Sequence, residues 1–101
     1  MAYTRPDLVH DAGKVNTDGT RLAGCQRGTP ARSGAGVYSY TLQAGSAIDA
    51  NESAALIQSN TDDLISTLSQ SSDTVFAARG TTNAGVATDM IWSFVILNLS
   101  F

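Results

Sequence analysis

The most marked shortage in this sequence is of charge. Of its 101 residues only 15% are charged, whereas an ordinary globular domain has about 25%. The six basic residues are scattered, and no aromatic residue lies between the closest pair, Arg27 and Arg32. Because phosphate binding needs clustered cations, we expect no nucleic-acid partner. Eleven serines and eleven threonines outnumber the charged side chains and predict a neutral surface of short polar groups.

Cysteine and long apolar runs are also scarce. The single cysteine, Cys25, excludes an internal disulfide and argues against a structural zinc site. No stretch approaches the roughly 20 apolar residues that span a bilayer, and residues 1–10 lack the basic region and apolar run of a secretory signal. We therefore expect no membrane partner. A chain of this length predicts one domain with a modest core.

The residues that carry chemistry are few and poorly grouped. The only histidine, His10, lies near the start of the chain, whereas a catalytic base is normally held on a rigid scaffold. We interpret Cys25 as a small buried side chain and the adjacent carboxylates at 62 and 63 as a solvated turn. Residues 16–19 resemble the beginning of a calcium loop but lack its later glutamate. The sequence thus predicts no enzyme, no metal, no cofactor and no small-molecule substrate.

What the sequence does contain is a series of short strand patterns separated by turn signals. Residues 37–43 alternate cleanly, with Tyr38, Tyr40 and Leu42 on one face, and residues 74–79 form another alternating segment. Asp18-Gly19 predicts a type I′ hairpin turn before a weak strand at 21–27. Residues 28–36, with three glycines and a proline, predict a loop, as do residues 80–87. Strands spaced in this way predict an all-β, antiparallel β-sandwich.

The segment 49–70 has two interpretations. Asp49, three residues before Glu52, resembles the start of a capping box, and the polar residues 61–63 before Leu64 resemble the start of a second short helix. Turn-like sequences leave segments of eight residues or fewer, and helices that short are marginal in water. We therefore favour strands here, with one short helix as the alternative.

The first twelve residues show no periodicity and predict an extended N-terminal arm, followed by a single β-sandwich domain at 13–101. The residue before Pro6 is excluded from the helical region, which favours extended backbone. Our hypothesis is that the arm contacts a partner, and the alternative is a frayed terminus. The contact residues assigned to the arm are Tyr3, Arg5, Pro6, Leu8 and Val9.

The most apolar stretch of the chain lies at residues 90–97. Met90, Trp92, Phe94 and Ile96 alternate with a second apolar set, so the pattern predicts burial of both faces of the strand. One face can belong to the core, and the other needs a cover. We favour a subunit interface as the cover, with the protein's own loops as the alternative. The residues assigned to core and self-association are Ile91, Trp92, Phe94, Val95, Leu97, Leu99 and Phe101.

The order of these segments resembles that of a known family. Residues 13–20 (GKVNTDGT) begin the pattern, residues 32–38 (RSGAGVY) lead into Thr41-Leu42, residues 72–76 (SDTVF) follow, and Asp89 with residues 94–97 (FVIL) ends it. From residue 13 onward the chain is similar to the small jelly-roll β-sandwich modules of tailed-phage virions. These modules occur as capsid cement (decoration) proteins and as heads of fibres and collagen-like proteins.

The resemblance implies a trimer or dimer without catalytic residues that binds through its surface. We expect a capsid cement protein, a homo-oligomer in which a trimer is favoured and a dimer is the alternative. It would bind across the major capsid protein on the virion surface after synthesis in the host cytoplasm. The arm then contacts the capsid, and the last strand supplies core and self-association. The alternative function is a receptor- or carbohydrate-binding head of a phage fibre, which the scarcity of aromatic residues outside the strands disfavours.

Overall fold

The computed structural model describes residues 8–61 and 64–100. Within them lie eight strands: β1 Val9–Val15, β2 Arg21–Gly24, β3 Gly28–Gly34, β4 Val37–Leu42, β5 Ser53–Ser59, β6 Ile65–Gln70, β7 Val75–Thr81 and β8 Trp92–Asn98. The first sheet has the order β2-β1-β8-β5 and the second the order β3-β4-β7-β6. All neighbouring strands are antiparallel. The predicted all-β, antiparallel sandwich is confirmed.

The two sheets pack face to face around an aromatic core. Tyr38 and Tyr40 extend inward from β4, and Trp92 and Phe94 extend inward from β8, because alternate residues of a strand share a face. The ring centroids of Tyr40 and Phe94 are 4.5 Å apart, and those of Tyr38 and Trp92 are 5.7 Å apart. Tilted aromatic pairs at these distances stabilise the core beyond their buried area.

The first hairpin forms where the sequence predicts it, but with a different turn. Gly19 has a φ of 88° and donates a hydrogen bond to the Asn16 carbonyl, at 2.9 Å. Asn16 N donates to the Thr20 carbonyl at 2.8 Å. Since Asp18 lacks the positive φ that a type I′ turn requires, the loop is a three-residue connection in which glycine alone is left-handed.

Residues 28–34 form strand β3, so the predicted loop at 28–36 is wrong over most of its length. The proline is compatible with a strand because β3 ends the second sheet. Gln43 N donates to the Arg27 carbonyl at 2.8 Å. Because hydrogen-bonded residues alternate along an antiparallel pair, the backbone groups of Thr29 and Ala31 face β4. The nitrogen of Pro30 therefore faces away from the sheet, where no ladder hydrogen bond is lost.

The first strand begins earlier than the sequence indicates. Residues 9–12, which we expected in the extended arm, form the first half of β1 and pair with β8. A register shift between Val9 and Asp11 places His10 in a bulge, and Asp11 occupies a buried position. A bulge together with an inward carboxylate interrupts the alternation that would reveal the strand. Residues 1–7 lie outside the described part of the chain.

The ambiguous middle segment forms strands, as we favoured. Asp49 accepts a hydrogen bond from Asn51 N at 2.8 Å and begins a single 3₁₀ turn at Ala50–Glu52, so the predicted cap serves a turn and not a longer helix. Another 3₁₀ turn covers Ala44–Ser46. Strand β5 follows directly and pairs with β8, whereas β6 pairs with β7. Residues 62 and 63 lie outside the description.

Candidate functional site

The outer face of the first sheet carries a continuous group of apolar side chains. Val95 on β8 lies opposite Leu56 on β5 and opposite Ala12 on β1. Leu97 in turn lies opposite Ala54 and Val9. Since directly opposed residues share a face, these side chains form one surface. We call it the apolar outer face: Val9, Ala12, Ala54, Leu56, Val95 and Leu97.

This surface is open to solvent. Leu56 is 60% exposed and Val9 is 53% exposed, so the described part of the chain does not cover either side chain. Val95 and Leu97 are half-buried between the flanking strands. A shallow groove of about 350 Å³ opens between β5 and β8, with Leu56, Gln58 and Val95 among its lining residues. Exposed apolar groups that are contiguous on a rigid sheet mark an interaction surface.

Strand β8 accounts for most of the residues assigned to core and self-association. Trp92, Phe94 and Ile96 are buried between the sheets, so this set of alternating residues is the core face of the strand. Val95 and Leu97 lie on the opposite face, as the alternation predicts. Ile91, just before the strand, is half-buried, and its backbone N–H donates to Thr61 Oγ1 at 3.0 Å.

Leu8 and Leu99, near the two ends of the described residues, border the apolar outer face. Leu8 is 38% exposed, and its carbonyl accepts a hydrogen bond from Asn98 N at 2.7 Å. Leu99 is 44% exposed and continues beyond β8. Of the residues assigned to the arm, Leu8 and Val9 therefore adjoin this surface. Tyr3, Arg5 and Pro6 lie outside the described residues, as does Phe101, which we assigned to core and self-association.

The outer face of the second sheet has a different character. Its larger apolar side chains are separated by other residues: Val37 lies opposite Arg79, Val75 opposite Thr41 and Ile65 opposite Thr81. The remaining outward positions are short side chains, mainly hydroxyls: Ser39, Thr67, Ser69 and Ala77. The apolar outer face is thus specific to the first sheet.

A polar cluster at one end of the sandwich is fully paired. Asp89 accepts hydrogen bonds from Arg32 Nε at 3.0 Å and from Gly36 N at 2.8 Å. The hydrogen bond from Arg32, followed by that from Gly36, lowers the pKa of Asp89. The Tyr38 hydroxyl donates to the Thr17 carbonyl and accepts from Met90 N, and burial raises the pKa of this phenol. The cluster fixes loops to the core.

A second polar group is buried beneath β1. Asp11 is 6% exposed, and its carboxylate accepts hydrogen bonds from Ala12 N at 2.9 Å, Arg27 N at 3.1 Å and the hydroxyl of Tyr40. Burial, and then the hydrogen bond to Asp11, raise the pKa of Tyr40. A buried carboxylate with this many donors is satisfied, so it ties β1 to β4 and to the connection after β2.

The histidine and the cysteine contribute to packing and to contacts within the fold. His10 Nε2 is 2.6 Å from the Ser46 carbonyl oxygen, which connects the bulge of β1 to a 3₁₀ turn. Cys25 is 6% exposed and has a φ of 55°, which confirms that it is a small buried side chain. Burial raises the pKa of its thiol and so disfavours the nucleophilic thiolate. In residues 8–61 and 64–100 no three His, Cys, Asp or Glu side chains are grouped to hold a metal ion.

Comparison with protein-family models, curated proteins and solved structures finds no match for this chain. The site must therefore be interpreted from its own geometry. No helix among the described residues is long and apolar enough to cross a membrane. The sequence predicts the outer-facing residues of β8, but it gives no sign of Ala12, Ala54 and Leu56. These join the surface only because β1 and β5 pair with β8.

Proposed function

We propose that this protein is a non-enzymatic structural protein of a phage virion, a cement (decoration) protein that stabilises the head by binding across capsid subunits. One observation carries the proposal: a four-stranded sheet presents an apolar outer face that residues 8–61 and 64–100 leave uncovered. The face supplies self-association into a homo-oligomer, and the arm supplies the contact with the major capsid protein. The relation to jelly-roll virion modules is part of this proposal.

The composition of the surface supports the same function. Apolar contacts are little affected by salt, whereas ion pairs at a surface are screened. The short hydroxyl side chains of the second sheet allow close, water-bridged contact with a neighbour. A standard interface buries about 800 Å² on each partner, and one small sheet face provides only part of that area. Binding to the capsid therefore needs a further segment, and we assign it to residues 1–7, which precede Leu8 at the border of this face.

The alternative, a receptor- or carbohydrate-binding head, has less support. Sugar recognition commonly uses exposed aromatic rings for stacking. The aromatic side chains of the described residues are all buried in the core: Tyr38, Tyr40, Phe76, Trp92 and Phe94. Reproducible binding on a glycan array would nevertheless favour this alternative over the structural function.

Co-sedimentation with capsids tests the proposal. The probe is the capsid of the phage whose genome encodes this chain, prepared without the protein. We expect the full chain to sediment with these capsids, and a chain lacking residues 1–7 to lose binding while its thermal unfolding is unchanged. The control is Val86→Arg, at a 60% exposed position in the loop between β7 and β8, which should bind normally. Failure of the full chain to bind contradicts the capsid function, and binding by the shortened chain contradicts the role of the arm.

A further inference from the structure

Among the described strands, β2, β5, β3 and β6 end the two sheets. Edge strands expose unpaired backbone groups, and proteins commonly protect them with charge, proline or short length. Strand β2 is four residues long and contains Arg21, and β3 contains Pro30 and Arg32. Strand β5, with the sequence SAALIQS, has neither charge nor proline over seven residues. The side of the molecule formed by β5 therefore lacks the protection present on the opposite side.

The hydrogen bonds that flank β5 show which backbone groups point outward. Asn60 N donates to the Ile91 carbonyl, and Leu99 N donates to the Glu52 carbonyl, both at 2.7 Å. In an antiparallel ladder hydrogen-bonded residues alternate, so the even-numbered residues of β5 bond to β8. The odd-numbered residues direct their N–H and C=O groups away from the sheet: Ser53, Ala55, Ile57 and Ser59.

We propose that a second copy of this chain pairs with β5, strand to strand and antiparallel, about a two-fold axis at Leu56. This inference rests on the self-association in the proposed function and specifies its geometry. The axis places Ala55 opposite Ile57 of the second copy, and Ser53 opposite Ser59. All of these residues have outward backbone groups, so the register matches donors with acceptors along the whole strand. The result is one eight-stranded sheet.

The side-chain sequence of β5 is suited to pairing with itself. A two-fold axis brings each central residue against its own copy, and a charge at that position would face a like charge. Leu56 instead places two exposed leucines together on the outer face, where Ala54 lies opposite Gln58 of the second copy. The apolar outer faces of the two copies then become continuous. On the inner side, Ala55 and Ile57, which pack against the core, continue the core across the axis.

Strand β6 is the closest rival edge, because it is also uncharged. Its outer face presents Ile65, Thr67 and Ser69, which are mainly hydroxyl side chains and do not adjoin the apolar outer face. Pairing through β5 buries the 60% exposed Leu56, whereas pairing through β6 leaves it in solvent. The two-fold arrangement also predicts a dimer, the alternative to the trimer that the resemblance favours.

Cysteine cross-linking tests the proposed register. Opposite residues in a non-hydrogen-bonded pair have Cα atoms about 4.5 Å apart, within disulfide range. Chains with Ala54→Cys and Gln58→Cys, co-expressed and oxidised, should form a covalent dimer of the two different chains. Each variant alone should not cross-link, since its two copies of the new cysteine lie four residues apart, about 13 Å along the strands. The buried Cys25 is common to all samples.

Three results would overturn the proposal. These are no cross-link in the mixed sample, equal cross-linking of each variant alone, or loss of the cross-link when residues 1–7 are removed. The last result would show that the arm, and not pairing through β5, holds the two copies together. Cross-linking between Thr67→Cys and Ser69→Cys chains in place of the first pair would assign the interface to β6.

A charge at the axis provides the second test. We expect Leu56→Arg to raise the dimer dissociation constant about 100-fold or more, because two unpaired charges are brought together in a buried contact. Leu22→Arg, at a 49% exposed position on β2, should leave the dimer unchanged. A dimer that survives Leu56→Arg contradicts the pairing. Capsid co-sedimentation separates the two proposals, since binding by a chain that does not cross-link removes the pairing and leaves the capsid function standing.

Discussion

Leu56 and Val95 lie directly opposite each other on β5 and β8, and both side chains are on the outer face of the first sheet. Leu56 is 60% exposed, although Phe94 and Ile96, on either side of Val95 along β8, are buried. One side of this sheet therefore packs into the core, and the other side carries an apolar surface that the described part of the chain leaves uncovered. This relationship separates residues that determine folding from residues that determine association.

The two faces of the first sheet should respond differently to truncation. Phe94→Ala removes a ring from the core and should lower the free energy of unfolding by about 3–5 kcal/mol. Leu56→Ala, on the outer face, should lower it by less than about 1 kcal/mol when the protein is dilute enough to be monomeric. Urea unfolding measured at low protein concentration checks both values. Equal losses for the two variants would contradict the assignment of the faces.

Gly13 is a position where any side chain should disturb the core. A Cβ atom there would lie 2.9 Å from Cys25 N and 2.9 Å from Phe94 Cε1. We expect Gly13→Ala to lower the free energy of unfolding by about 2–3 kcal/mol, because overpacking displaces neighbours that are already in contact. Gly45→Ala is the control, since nothing lies within 4 Å of its Cβ. Thermal unfolding should separate the two variants, and similar melting temperatures would show that β1 does not pack as described.

The buried carboxylate of Asp11 should be essential to stability. Asp11→Ala leaves Ala12 N, Arg27 N and the Tyr40 hydroxyl without their acceptor, and the expected cost is about 3 kcal/mol. Tyr40→Phe removes one donor and should cost about 1–2 kcal/mol. Because the two groups contact each other, the double variant should lose less than the single losses combined. Strict additivity in urea unfolding would contradict the hydrogen bond.

The hydrogen bonds of Asp89 predict that the protein loses stability at acid pH. The pKa of Asp89 is lowered by Arg32 and then by Gly36 N, so the native state binds this proton less readily than the unfolded chain. The ionised Asp89 carboxylate contributes fully to the free energy of unfolding above about pH 4, the ordinary Asp value. This contribution is lost as the pH falls through the lowered pKa. Asp89→Asn should flatten the acid limb of the stability curve. Asp73→Asn, on an exposed turn, should retain it, and an unchanged curve for Asp89→Asn would contradict the pairing.

The buried phenol of Tyr38 predicts that the protein also loses stability at alkaline pH. Burial raises the pKa of Tyr38, so the folded state keeps the neutral hydroxyl that the Thr17 and Met90 hydrogen bonds use. Its contribution is present below about pH 10, the ordinary Tyr value, and is lost as pH rises through the raised pKa. Urea unfolding measured between about pH 8 and 11 should show that Tyr38→Phe reduces this dependence, while Tyr40 and Cys25, whose pKa values burial also raises, retain the rest. An unchanged alkaline limb would contradict the buried position of the hydroxyl.

The fold was predictable where local alternation is regular. In β4 and β7 the residues that face the core alternate with outward-facing ones. The sequence pattern alone therefore predicts burial at residues 38, 40 and 42 and at residues 76 and 78. Strand β3 could not be recognised in this way, because Pro30 is acceptable only at a sheet edge, and edge position depends on the arrangement of all eight strands. Strand β1 was hidden by a bulge and by Asp11, a carboxylate whose inward position depends on donors from other parts of the chain.

The candidate site was predictable only in part, for a related reason. The apolar residues on both faces of β8 are visible in the sequence and indicate that one face needs a cover. The contribution of β5 is not visible, because the position of Leu56 on the same surface depends on pairing between residues distant in the chain. Whether a strand lies at the edge of a sheet, and which way its backbone groups point, also follows from tertiary structure alone.

Sedimentation equilibrium of the purified full chain tests the central claim most directly. The claim is that the apolar outer face, together with the β5 edge, holds two copies of this protein together. At micromolar concentration the account predicts a species of about twice the 10.5 kDa chain mass, which Leu56→Arg converts to the monomer. A native chain that sediments at 10.5 kDa throughout this concentration range would contradict it.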